Sequence, residues 1–156
     1  METIVKIATV VEGDDREKVL LIKEKYEKRD RPYWNVIKGT FGDNGEESVF
    51  EAAVRECREE AGVEVEITGV LGAFVYHQNG KLRIQFNFVA RILEGEPKIA
   101  PLEEQKFRDE SIEEVKWFSR DELSKMSSDE FISPKAHQLI QTWLAGKKYP
   151  LEMIRL

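Results

Sequence analysis

The chain has one cysteine, Cys57, so no internal disulfide can form and no Cys-rich metal site exists. Histidine is nearly as scarce. His77 ends a strand-like run and His137 lies in the last helical stretch, so both read as structural or surface residues. No apolar run approaches the length of a membrane span. The opening METIVKIATVVEGDD has no basic segment ahead of a long apolar one, so no signal peptide is read. Positive charge is also short. A formal net charge of −6 argues against tight binding to DNA or other nucleic acid and against a basic membrane patch. It does not exclude an anionic substrate, because a bound metal can reverse the local field. A cytoplasmic protein with no membrane partner is the expectation, and a homodimer is compatible with it. Lysine is missing from one whole stretch. None lies between Lys38 and Lys81, where Arg55 and Arg58 alone face nine Asp and Glu residues.

What is present suits one domain over residues 1–156 with one sizeable core. Residues 3–11 and 19–26 are β-rich and flank the polar EGDDREK, a hairpin pattern. Residues 34–37 read as a short strand, and KGTFGDNGEE after them as a Gly-rich loop. Ser48 with Glu51 fits a capping box, opening a helix that stops at Gly62. Strands follow at 65–77 and 81–92, joined through Asn79-Gly80, a strong turn signal. Residues 93–110, with Pro97 and Pro101, read as a long loop. A strand at 112–118, a short helix opened by the capping box Ser119 to Glu122, and a helix from Ser133-Pro134 to Leu144 complete the order. That order is β-β-β-α-β-β-β-α-α, with no repeat or linker.

The helix of residues 48–61 carries the chemistry. At about 100° per residue, Glu56, Glu59 and Glu60 share an arc of roughly 100°. Phe50, Ala53, Val54, Cys57 and Ala61 cluster opposite, as a core face with Cys57 in no redox role. Acids three and four apart repel by a few tenths of a kcal/mol, roughly, per pair. Three acids alone also fit a solvated face. Mg²⁺, however, takes several carboxylate oxygens and completes its shell with water and substrate phosphates, which explains the spacing.

The stretch Glu47-x7-Arg55-Glu56-Cys57-x-Glu59-Glu60-x-Gly62-Val63 resembles the signature of the Nudix hydrolase superfamily. That signature runs Gly, five residues, Glu, seven residues, Arg-Glu, an apolar residue, any residue, Glu-Glu, any residue, Gly, apolar. Every position from Glu47 to Val63 is met. The opening Gly would stand six before Glu47, at Phe41, so Gly39 is its counterpart in a loop two residues longer. Gly42 and Gly45 then serve as turn residues inside the loop.

The resemblance implies an α/β/α sandwich around a mixed sheet and hydrolysis of a diphosphate bond in a nucleoside diphosphate linked to another group. It implies Mg²⁺, with Mn²⁺ as a substitute, held by Glu56, Glu59, Glu60 and the Gly39 carbonyl, with one glutamate also able to act as general base. Arg55 would hold Glu47 and the loop in place. Family members often add an acid before the strand that carries a Trp. Here Glu110 is the candidate extra ligand or base, a solvated loop acid being the alternative, and Glu103 and Glu104 are weaker rivals. A non-catalytic Nudix-fold nucleotide-binding or regulatory module is the competing function, and the intact glutamate set argues against it. An isoprenoid diphosphate isomerase would need a Cys in the strand before the signature, where none stands.

The Asn79-Gly80 turn suggests where the rest of a substrate sits. A two-residue turn pairs Tyr76 with Arg83, Phe74 with Gln85 and Gly72 with Asn87. The other face then carries Leu71, Ala73, Val75, Leu82, Ile84, Phe86 and Phe88 as an expected core face. The mixed face, with Trp34 as second side of an aromatic clamp, could stack and hydrogen-bond a base. Alternatively, Phe74 and Tyr76 pack under the last helix.

Overall fold

Strand β1 (Thr3–Glu12) and strand β2 (Lys18–Glu24) pair as a hairpin only next to their turn, at Val11↔Leu20 and Glu12↔Val19. Beyond that the two strands splay, and other strands fill the opening. In this computed structural model, which describes residues 1–156, the run expected as one strand at 34–37 is two. Strand β3 (Tyr33–Asn35) pairs β2, and strand β4 (Ile37–Thr40) pairs β1. The break falls at Val36, which is buried in a core cluster as the chain crosses from one neighbour to the other.

Helix α1 (Val49–Ala61) begins where Ser48 Oγ accepts the Glu51 N–H and ends at Gly62, whose φ of 68° a residue with a Cβ resists. Strand β5 (Glu64–Gln78) and strand β6 (Lys81–Glu94) form the long hairpin over Asn79-Gly80. Helix α2 (Leu102–Phe107) lies inside the segment expected as loop. It is a short helix that Gln105 fixes, donating to the Ala100 carbonyl and accepting the Ile112 N–H. A six-residue polar turn has no periodicity to announce it. Strand β7 (Ile112–Ser119) pairs β2, helix α3 (Arg120–Lys125) starts at the complete Ser119–Glu122 capping box, and helix α4 (Pro134–Leu144) follows.

The sheet runs β3-β2-β1-β6-β5, with β4 beside β1 and β7 beside β2; β1 and β6 are parallel and the other pairs antiparallel. One face packs α1 through Ile7, Leu20, Ile22, Phe88 and Ala90. The other packs α3 and α4 through Ala8, Val10, Leu21, Val89, Leu123 and Leu139. This is the expected α/β/α sandwich. The residues after α4 were not anticipated: Tyr149 bridges Val70 across the edge of β5, and Leu151 and Ile154 reach the α1 side. They cover one part of an otherwise open strand edge. No helix is long and apolar enough to cross a membrane.

The hairpin register is as expected, with Tyr76↔Arg83, Phe74↔Gln85 and Gly72↔Asn87. Its faces are not. Val75 is 67% exposed and Ala73 is exposed, because the hairpin tip outreaches α1. Leu71 belongs to the α4 side, since β5 shifts register between Val70 and Gly72 and the extra residue reverses the alternation.

Candidate active site

The acids of α1 do not face water. Glu56 and Glu60 are buried at 8% and 3% exposure, on the same side as Ala52, Ala53 and Cys57, while Phe50 and Val54 are only partly covered. The expected separation of an apolar face from an acidic one is therefore corrected: the acidic edge leans on β4. The Lys38 N–H donates to Glu60 Oε1 at 2.9 Å. A Cβ built on Gly39 would overlap the Glu56 carboxylate, so only glycine lets that acid meet the backbone there. The longer loop turns at Gly42 and Gly45, with φ of 103° and 72°.

Arg55 ties this cluster together. Its Nε and Nη2 donate to the two oxygens of Glu47 at 2.9 Å each, a fork-on-fork pair. Nη1 donates to Glu56 at 2.8 Å and to Glu59 at 3.2 Å. Glu47, then the other acids, hold the guanidinium's charge more firmly than usual. With Arg55 supplying the countercharge, no three Asp, Glu, His or Cys side chains converge as an ion cage. The donor set still suits a hard cation: carboxylate oxygens are hard ligands, and two of these side chains, Glu56 and Glu60, are buried.

A cleft of about 1070 Å³ opens here, between α1, β4, the end of β2 and the turn after α2. Glu110 lines it, paired with Arg108, with its Oε2 buried and without a partner. Arg108 also donates to the Glu59 carbonyl at 3.0 Å, fastening this turn to α1. The structure thus gathers Glu47, Arg55, Glu56, Glu59, Glu60, Gly39 and Glu110. Glu103 and Glu104 line no part of the cleft.

Two residues escaped the sequence reading. Glu24 is 8% exposed, accepts from Asn35 Nδ2 at 3.2 Å and lines the cleft. Its signal is parity: it stands two residues after Ile22 and four after Leu20, on the strand's inward side. Lys6 has the same signature on β1, two before Ala8 and four before Val10. Burial lowers the Lys6 pKa first, then Arg83 does. Burial, then Lys6, pushes Lys38 down to about 8.

Burial raises Glu24, Glu56 and Glu60, and Glu24 is the next cause for Glu60. An acid whose folded pKa is raised binds more protons folded than unfolded, so stability falls as pH rises from the ordinary 4.5 through the folded value. Glu24→Gln keeps an acceptor for Asn35 and removes the charge. In EDTA its melting temperature should therefore exceed wild type by a margin that grows as pH rises from the usual carboxylate range to neutrality. A margin independent of pH, or of opposite sign, refutes the buried-charge account.

On the α4 side of the sheet, Phe74 packs against the core and the Tyr76 ring carries Lys135 Nζ at 3.8 Å. Gln85 and Asn87 are buried and joined by a 2.8 Å bond, and Arg83 Nε is buried with no partner. Trp34 does not join them. It stands on β3, beside β2, and Tyr76 on β5, beside β6, so the two lie on strands that do not pair. Its ring meets Phe118 edge-on at 4.7 Å, with Lys23 over it. The clamp is corrected to a core contact. His137 packs on Phe131 and bonds Gln141, His77 is exposed, and Cys57 is buried with its thiol pushed up, all outside the cleft.

The NUDIX domain family matches residues 3–140. None of the curated proteins matches the chain significantly. Among solved structures, a NUDIX hydrolase from Nitrosomonas europaea superposes with a TM-score of 0.78 at 26% identity, covering 99% of this chain and 97% of that one. The MutT protein from Methanosarcina mazei Go1 gives 0.67 at 18% identity, covering 93% and 95%. The NUDIX domain of Shewanella oneidensis NrtR, solved with ADP ribose, gives 0.67 at 17%, covering 91% and 86%. Given the signature from Glu47 to Val63, its burial against Gly39 and these matches, the chain belongs to the NUDIX domain family and is a Nudix-type pyrophosphohydrolase.

Proposed function

We propose that the protein is a Mg²⁺-dependent hydrolase of the diphosphate linkage in a nucleoside diphosphate joined to another moiety. One observation carries the reading: Glu56, Glu59 and Glu60 crowd a cleft in which Arg55 is their main countercharge. Glu56, Glu59, Glu60 and the Gly39 carbonyl are the proposed ligands. A divalent ion bound there would neutralise phosphate charge and lower the pKa of a coordinated water. The chain's own groups do the rest. Arg55 fixes Glu47 and orients Glu56 and Glu59. Glu110 lines the cleft apart from the acids of α1 and has an oxygen free of partners, which makes it our candidate general base. The NrtR domain's ligand, ADP ribose, supports the substrate class.

The non-reacting part of the substrate is proposed to rest on Phe74, Tyr76 and Arg83. Tyr76→Ala and Arg83→Ala should raise KM for a nucleotide substrate far more than they lower kcat, because they touch atoms that do not react. Variants that match wild type on every cleaved substrate would move the pocket elsewhere. The function itself is tested with nucleoside triphosphates, dinucleoside polyphosphates, ADP-ribose, nucleotide sugars and capped RNA, each with Mg²⁺ and with Mn²⁺. Absence of turnover across the panel sinks the reading.

A further inference from the structure

Next to the acidic cluster lies its opposite. Lys38, Lys6 and Arg83 occupy three neighbouring strands, β4, β1 and β6, and point to the α4 side. The register fixes their layout. Lys38 stands opposite Ala8, Lys6 opposite Thr40 and Gln85, and Arg83 opposite Ile4 and Tyr76. Successive members are one strand over and two residues along, so their Cα atoms form a diagonal row at roughly 8 Å steps. Lys135, from the first turn of α4, reaches over Tyr76 at the Arg83 end.

None of these four cations forms an ion pair, although acidic side chains outnumber basic ones by 30 to 24. Lys6 Nζ has one bond, to Thr40 Oγ1 at 2.6 Å. Arg83 Nε is buried without an acceptor. A buried donor left without an acceptor destabilises the fold, and more so when it is charged. Like charges set side by side add to that cost. The cost is removed by an anion carrying several acceptor oxygens. Lys6 and Lys38 line the same cleft as Glu56, Glu59 and Glu60, so that anion would be continuous with the diphosphate at the carboxylates.

We propose that Lys38, Lys6, Arg83 and Lys135 form an anion subsite that holds a phosphate group beyond the diphosphate cleaved at the carboxylates. The preferred substrate then carries either a longer phosphate chain or a separate phosphate on its organic part. This deepens the hydrolase reading and rests on it for the word substrate; the subsite itself does not need turnover. Guanidinium and ammonium groups suit it differently: Arg83 offers a planar fork, and the lysines offer point charges that adapt to either source of phosphate.

The test begins without metal. In EDTA, inorganic tripolyphosphate titrated into wild-type protein should bind saturably by calorimetry and raise the melting temperature. Lys6→Gln and Arg83→Gln should each weaken that binding at least about tenfold, the loss of one charge-assisted contact. Both variants should melt no lower than wild type without the anion, because repulsion is relieved; this separates lost binding from lost folding. With Mg²⁺, the preference for a nucleoside triphosphate over its diphosphate should fall about tenfold in each variant if the phosphate lies along the chain. If it lies on the organic part, the preference for a dinucleotide bearing a 2′-phosphate over one without it should fall instead. No saturable binding in EDTA, or equal affinity in wild type and both variants, overturns the subsite. Binding that behaves as expected in a protein with no hydrolase activity supports the subsite and overturns the hydrolase reading alone.

Discussion

Glu60→Gln should lose about two to three orders of magnitude in kcat while melting higher than wild type in EDTA. The two halves of this result have one cause. Glu60 is 3% exposed, and burial and the neighbouring Glu24 and Glu56 raise its pKa well above the ordinary carboxylate value. A charge in that position is costly to the fold and has no side-chain partner of its own; its only bond is from the Lys38 N–H. Glutamine has the same length and can accept that bond through Oε1, so the local backbone has no reason to move. What is removed is the charge.

Metal linkage gives the sharper readout. Under the proposed function, an ion at a hundred times its Kd stabilises the wild type by about 2.7 kcal/mol. For a chain of this length each kcal/mol shifts the melting temperature by about 2–4 °C. Wild type should therefore melt several degrees higher in Mg²⁺ than in EDTA, and Glu60→Gln should show little of that gain. The variant's advantage in EDTA should reverse in Mg²⁺. A Glu60→Gln protein with near wild-type turnover and an undiminished gain from Mg²⁺ removes Glu60 from the ligand set.

Much of this site was legible because its signals are local. The spacing from Glu47 to Val63 lies on one helix and its approach, where Ser48 and Gly62 mark both ends. The β5–β6 register followed from two residues, Asn79 and Gly80, since a two-residue turn leaves no freedom in pairing. What failed was non-local. Leu71 was placed on the wrong face because a register shift at Val70–Gly72 has no composition signal. Val75 looked like core because alternation says which side a residue takes, not how far the covering helix extends. Trp34 and Tyr76 looked like partners because strand order is invisible until β4 and β6 are seen inserting beside β1. The missing lysines of residues 39–80 made the acids look uncompensated. Lys6 and Lys38 approach from other strands, and even so none pairs with them; the countercharge comes from Arg55, inside the signature.

Arg55→Ala should do the opposite of Glu60→Gln to the fold. The guanidinium contacts three carboxylates and approaches the Thr40 carbonyl, so it joins α1, the end of β4 and the loop before the helix. Truncation leaves Glu47, Glu56 and Glu59 facing one another, with Arg108 Nε, 3.9 Å from Glu59, as the remaining counterion. Breaking a fully buried pair costs about 3–5 kcal/mol; with the Arg55 side chain 15% exposed, water takes part of the load and about 2–3 kcal/mol is the expectation. That corresponds to a melting temperature lower by about 5–10 °C in EDTA. Mg²⁺ should restore only part of it. An ion beside Glu56 and Glu59 replaces the charge those two acids lost, but it does not replace the fork that holds Glu47, so the loop at residues 41–47 stays loose and becomes the site of faster proteolytic cleavage. Turnover should drop along with stability, since Glu56 and Glu59 are no longer oriented. Arg55→Lys should recover some charge balance yet little of the loop order, because an ammonium group cannot bind both Glu47 oxygens in a planar fork. If Arg55→Ala instead melts like wild type and changes KM alone, the guanidinium contacts the substrate, and the bonds to Glu47 are incidental to the fold.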